Sequence, residues 1–171
     1  MNQSDVNLQS KNLDIDFESR SERSILPIES IDVSRFRLSH AALIHLHSRQ
    51  VIYIEKQVIW IGSTPLNDIC LNDFQLSRRC SHIDERHACL YYDRKRNLFE
   101  LLNYSGYGIV VDGLRYGLGQ EEKLENLNDQ QCSCANEPSI QAAWDGAAQI
   151  EQGTVFRIGC HSFLFYRHVA Q

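Results

Sequence analysis

The residues of this 171-residue chain best equipped for chemistry are cysteines and histidines set in two polar segments. Cys80-x-His82 stands in one and Cys132-x-Cys134 in the other. A free cysteine ordinarily prefers burial, so a Cys-x-Cys pair in polar sequence is unusual. Zinc takes four ligands in a tetrahedron and accepts both thiolate and imidazole. Cys80, His82, Cys132 and Cys134 make one such set, and a shared structural zinc would staple the two segments together. The competing reading leaves Cys132 and Cys134 as exposed thiols and Cys80 as local packing, because one-residue spacing is less diagnostic than a C-x-x-C pair. Cys70, Cys89 and Cys160 fall in or beside strand patterns and read as small core residues. His161 is a substitute ligand. His45 and His47 share one face of an alternating pattern and read as solvated.

Nothing in the chain assembles a nucleophile with a base. The G-x-S-x-G, Walker and dinucleotide fingerprints are all missing, so an enzyme is not expected. Asn103-Tyr104-Ser105 is formally a glycosylation sequon. The net charge of −5, with signs interspersed, argues against nucleic acid, which wants a basic face to displace counterions. No apolar run approaches the ~20 residues of a membrane helix, and Met1 is followed by polar residues rather than a signal peptide. That points to a cytosolic or nuclear chain, where cysteines serve as thiols or ligands rather than disulfides.

The elements that must position these residues are short strands. Residues 1–35 are rich in Asn, Gln, Ser and charge without sustained period and read as a disordered arm, with Ile25-Leu26-Pro27-Ile28 its one apolar spot. From Ala41 the chain alternates, Ala42, Ile44 and Leu46 against Leu43, His45 and His47, a half-buried strand pattern. Strand patterns follow at 50–54, 58–61, 69–71, 87–93 and 98–102, and again at 147–150, 154–158 and 162–166. Gly117 to Asp145 is long, polar and poor in β-branched residues, and reads as a loop insertion. Many short strands separated by turns predict a sandwich or barrel, here over residues 36–171.

The order of motifs resembles a forkhead-associated (FHA) domain. The resemblance rests on Ile61-Gly62, Asn67-Asp68-Ile69-Cys70-Leu71, His87-Ala88, Leu102-Asn103-Tyr104-Ser105, Val111-Asp112-Gly113 and Gly153-Thr154. It implies an all-β FHA-type sandwich of short antiparallel strands, a phosphothreonine-reading loop end, and structural roles for Gly62, His87, Asn103 and Gly108. Several expected phosphate contacts are replaced. Ser63 stands where the family has an arginine whose fork matches phosphate. With His87 aligned on the family histidine, Asp84 and Glu85 replace the family's serine and arginine, and Tyr107 replaces an asparagine. One hydroxyl contributes roughly 1 kcal/mol, whereas a carboxylate about 4 Å from a phosphate oxygen costs about 4 kcal/mol near a surface. Repulsion wins, so the phosphothreonine pocket reads as degenerate. A rival alignment sets Ser77-Arg78-Arg79 at the family's phosphate motif and keeps a phosphothreonine reader as the alternative.

A finer likeness, through Cys132-x-Cys134, Trp144-Asp145-Gly146 and Gly159-Cys160 as well, is to FHA domains of chromatin corepressor subunits that carry PHD fingers. It implies a nuclear, histone-deacetylase-associated protein that uses the domain to bind corepressor subunits. The candidate contact residues are Ser63, Arg78, Arg79, Arg86 and Tyr107, since Arg and Tyr are common interface anchors.

Overall fold

The computed structural model describes residues 31–76, 79–117, 132, 134, 140, 141 and 146–167. Most of the 1–35 arm and most of the 117–145 insertion, Trp144 included, lie outside them, as do Ser77 and Arg78. The described residues all belong to one compact unit, Ile31–Gln171.

Two sheets face each other across one core. Among the described residues, the larger holds β2 (Val51–Ile54), β1 (Ala41–His45), β12 (His161–Tyr166), β11 (Val155–Ile158), β7 (Ile109–Val111), β8 (Leu114–Tyr116) and β9 (Ile140–Gln141), in that order. The smaller runs β10 (Ala147–Ile150), β6 (Leu98–Asn103), β5 (Ala88–Asp93), β3 (Val58–Gly62), β4 (Ile69–Cys70). All pairs are antiparallel except β3 with β4 and β8 with β9. Strict alternation of buried and less buried residues along β10, β11 and β12 gives each strand one inward face. The core joins Phe156, Phe163 and Phe165 of one sheet to Phe99, Leu90 and Leu101 of the other. Phe99 and Phe165 meet across it with ring centroids 4.9 Å apart. Each such ring contributes about 1.5–3 kcal/mol by leaving water.

Three details depart from the sequence reading. Residues 31–35, assigned to the arm, lead into helix α1 (Val33–Leu38), whose N-terminus is capped by Asp32 Oδ1 accepting from Ser34 N and Arg35 N. Phe36 is buried against Tyr166, and Asp32 N donates to the Tyr53 hydroxyl. Tyr53 and Tyr166 both pair with Ala42, so α1 covers the outer side of β1. That cover is why every residue of β1 is buried, where alternation predicted one wet face. Third, the insertion is not all loop: Ile140–Gln141 add a strand parallel to β8.

Candidate functional site

Cys80 and His82 lie on the extended segment that leads to β5, and Cys132 and Cys134 come from the insertion. The fold brings all four together. Their ligand atoms lie within 4.8 Å of one another. Cys132 Sγ is 3.0 Å from Cys134 Sγ and 3.1 Å from His82 Nδ1. His82 Nδ1 is 3.3 Å from Cys134 Sγ, and Cys80 Sγ is 3.6 Å from both other sulfurs. A tetrahedral zinc with bonds of about 2.3 Å to sulfur and 2.0 Å to nitrogen sets its ligands about 3.5–3.8 Å apart. The set is therefore compact enough to close on one ion, and it can hold a metal. Cys80, His82 and Cys134 are buried, so three of the four donors are already out of water.

The thiols share protons. A hydrogen bond from Cys134 pulls Cys80 down to about 5, and the same contact pushes Cys134 well up. Cys80 is then the thiolate, the form that binds metal. Cys160, read from sequence as a core residue, instead sits half-buried on the β11–β12 turn with its Sγ 3.3 Å from Cys132 Sγ. Its backbone N–H donates to Cys80 Sγ at 3.3 Å. The glycine before it is required by the cluster: a Cβ on Gly159 would stand 2.6 Å from Cys80 Sγ and 2.9 Å from Ile83 Cγ1.

Next to the thiols lies a buried histidine pair. His45, expected on a solvated face, is fully buried, and its Nε2 is 3.2 Å from His161 Nδ1. Ser48 N donates to His45 Nδ1, which leaves Nε2–H to donate to His161. Burial, with the charges of His45 and His47 adding, holds His161 down at about 4, and burial likewise lowers His45. A folded pKa below the unfolded value means that the unfolded chain binds more protons. The contribution to stability is thus full above about 6.5 and declines as pH falls toward about 4, by up to about 1.4 kcal/mol per unit. Urea titrations at pH 7.5 and 5 should show the wild type losing more stability than His161→Asn; equal losses contradict the assignment.

The loop end is organised by His87, which is fully buried. Its Nδ1 accepts from Asp84 N at 3.2 Å, which leaves Nε2–H facing Gly108 O and Ser105 Oγ, both at 3.0 Å. Ser105 Oγ accepts from Tyr107 N and Gly108 N. Asn103 closes the same turn through Ser105, Oδ1 to its N and Nδ2 to its O. Gly62 touches the facing loop so closely that a Cβ would stand 2.1 Å from Glu85 O, and Gly108 has φ +74° with Tyr116 O beneath it. Asp84 is half-buried and accepts from Gly106 N at 2.9 Å. Glu85 is exposed beside it, and Ser63 N donates to Asp84 O.

The fold therefore gathers Ser63, Asp84 and Tyr107 at one end. Tyr107 also joins that end to the cluster: its ring meets His82 edge-on at 5.3 Å, and its carbonyl accepts from Arg115 Nη1 at 2.7 Å. Arg79 is exposed beside Cys80. Arg86 is elsewhere, its guanidinium 4.4 Å over the Trp60 ring on the outside of the smaller sheet. Tyr104 packs edge-on against the same Trp60. Sequence reasoning missed Cys160, Arg115 and Trp60. Only Cys160 carried a signal, its turn position beside Gly159.

No family model matches the chain. Solved structures do resemble it. The Mycobacterium tuberculosis EmbR protein in complex with a low-affinity phosphopeptide is 16% identical at TM-score 0.50, covering 78% of this chain and 26% of that one. The FHA domain of the CT664 protein from Chlamydia trachomatis is 17% identical at TM-score 0.50, covering 77% of this chain and 100% of that one. The N-terminal FHA domain of S. cerevisiae Rad53p, with a phosphothreonine peptide, is 11% identical at TM-score 0.50, covering 75% and 93%. At such identities the likeness establishes the fold, which is the FHA-type β-sandwich.

Proposed function

We propose that this chain is a non-enzymatic protein-binding module whose FHA-type loop end no longer depends on phosphothreonine. The observation that carries the reading is Asp84: its carboxylate is held at the loop end by Gly106 N, with exposed Glu85 adjacent and Ser63 opposite, and the His87 alignment sets it where the family has a serine. A phosphate brought there meets two carboxylates, and their repulsion exceeds what one hydroxyl returns. Ser63, Arg79 and Tyr107 remain as contacts for an unmodified partner, with Arg86 on a separate face.

The finer motif likeness, to the FHA domain of PHD finger protein 12, supports a nuclear role in transcriptional repression, with subunits of a histone deacetylase corepressor as partners. The proposal includes a structural zinc held by Cys80, His82, Cys132 and Cys134, supported by their mutual spacing. The zinc joins the segment before β5 to the insertion and sets His82 against Tyr107 at the partner surface.

Fluorescence anisotropy with a phosphothreonine peptide library and its unphosphorylated twin tests the function. The expected result is no gain in affinity from phosphate. A phosphate-dependent gain that Arg78→Ala or Arg79→Ala abolishes would overturn the reading and favour recognition through Ser77, Arg78 and Arg79.

A further inference from the structure

The cluster holds one donor more than a tetrahedral metal needs. Resting on the zinc reading above, we infer that Cys160 is a second candidate for the fourth coordination position, which it takes over when His82 leaves. Cys80, Cys132 and Cys134 are then the constant ligands, and the centre alternates between three sulfurs with one nitrogen and four sulfurs.

Two independent features carry this. His82 is the least supported donor of the five, because its Nε2 is buried with no hydrogen-bond partner among the described residues. A zinc-bound imidazole ordinarily donates its other ring N–H to a carboxylate, carbonyl or water, which fixes its orientation and raises its basicity. His82 has instead the edge of Tyr107. Cys160, in contrast, is built in. Its Sγ is already 3.3 Å from Cys132 Sγ, and its N–H bonds Cys80 Sγ. The turn that carries it is held by the β11–β12 pairing of Ile158 with His161, and Gly159 lets that turn approach Cys80 without a clash. Four thiolates leave the centre more negative than three, and the cationic Arg115 lines the same small cavity as His82, Cys134 and Gly159.

Ligand choice then reaches the partner surface. With His82 bound, the Tyr107 ring is packed against a fixed neighbour; with Cys160 bound, that neighbour is released and the edge-on contact is lost. The exchange is a means by which the metal centre can alter the loop end that the proposed function assigns to partner binding.

The test uses the full chain loaded with Zn2+ or Co2+, in wild type and in His82→Ala, Cys160→Ala, the double variant and Cys134→Ala. X-ray absorption on the zinc forms should count three sulfurs and one nitrogen in wild type and Cys160→Ala, and four sulfurs in His82→Ala. Chelator competition should find each single variant within about tenfold of wild-type zinc affinity and the double variant weaker by more than about a hundredfold, a loss beyond the range of outer-shell changes. Three sulfurs and a water oxygen in His82→Ala would overturn the inference, as would losses in the double variant that are the simple sum of the singles. A wild type that gives no tetrahedral Co2+ spectrum removes the zinc reading itself, whereas Cys134→Ala that binds as tightly as wild type overturns the inference that Cys134 is a constant ligand. Should His82→Ala fail to fold, His82→Asn with the same sulfur count decides.

Discussion

Replacing Cys134 with serine is expected to release the metal and lower stability by about 4 kcal/mol, the value for a ligand held at a thousandfold above its dissociation constant. For a domain of this size that is a fall in Tm of roughly 10 °C. The effect is large because Cys134 belongs to the insertion while Cys80 and His82 belong to the segment before β5. An ion held by the four donors, as proposed, would link the two directly. A hydroxyl is a poor replacement for a thiolate at zinc, and Cys160, whose proposed exchange is with His82, does not restore the Cys134 corner. The informative comparison is thermal unfolding with and without a strong chelator. The wild type should fall to the level of the variant, and the variant should not respond. A wild type indifferent to chelator and no more stable than Cys134→Ser would refute the prediction.

His87→Ala is expected to cost about 3–5 kcal/mol. The ring is fully buried and satisfies Asp84 N on one side and Gly108 O with Ser105 Oγ on the other. Removing it strands a buried donor and a buried acceptor, at about 1–3 kcal/mol each, and leaves a cavity. Since the same ring holds the 84–87 segment to the 104–108 turn, amide signals of both should move together. Zinc content should stay at the wild-type level, which separates loss of the loop network from loss of the metal. Urea unfolding reads the energy; a change below about 1 kcal/mol would mean that His87 does not organise the loop end.

How much of this was legible beforehand depended on the kind of signal. The sandwich was readable because strand periodicity and turn residues are local, and both survive in 147–150, 154–158 and 162–166. The four-donor set was readable because thiols in polar sequence lack a packing reason, although bringing Cys80 and Cys132 together is a property of the whole topology. Cys160 was misread because a cysteine beside a strand is usually packing, and only the β11–β12 turn carries it to Cys132. His45 was misread for a similar reason. Alternation marks two faces without saying which is the core: His45 shares the face of Ala41 and Leu43, which packs on Phe74 and Phe163, while α1 covers the other. Trp60 and Arg86 form a contact between β3 and the residues before β5, and such long-range pairs leave no mark in a single sequence.

The central claim is that a metal ties the insertion to an FHA-type sandwich whose loop end has lost its phosphate chemistry. Elemental analysis of the purified full chain, with protein concentration measured independently, addresses it most directly. The account predicts about one zinc per chain, lost in Cys132→Ser and in Cys134→Ser. A wild-type chain that is fully folded and metal-free would contradict it, and would return Cys132 and Cys134 to ordinary thiols.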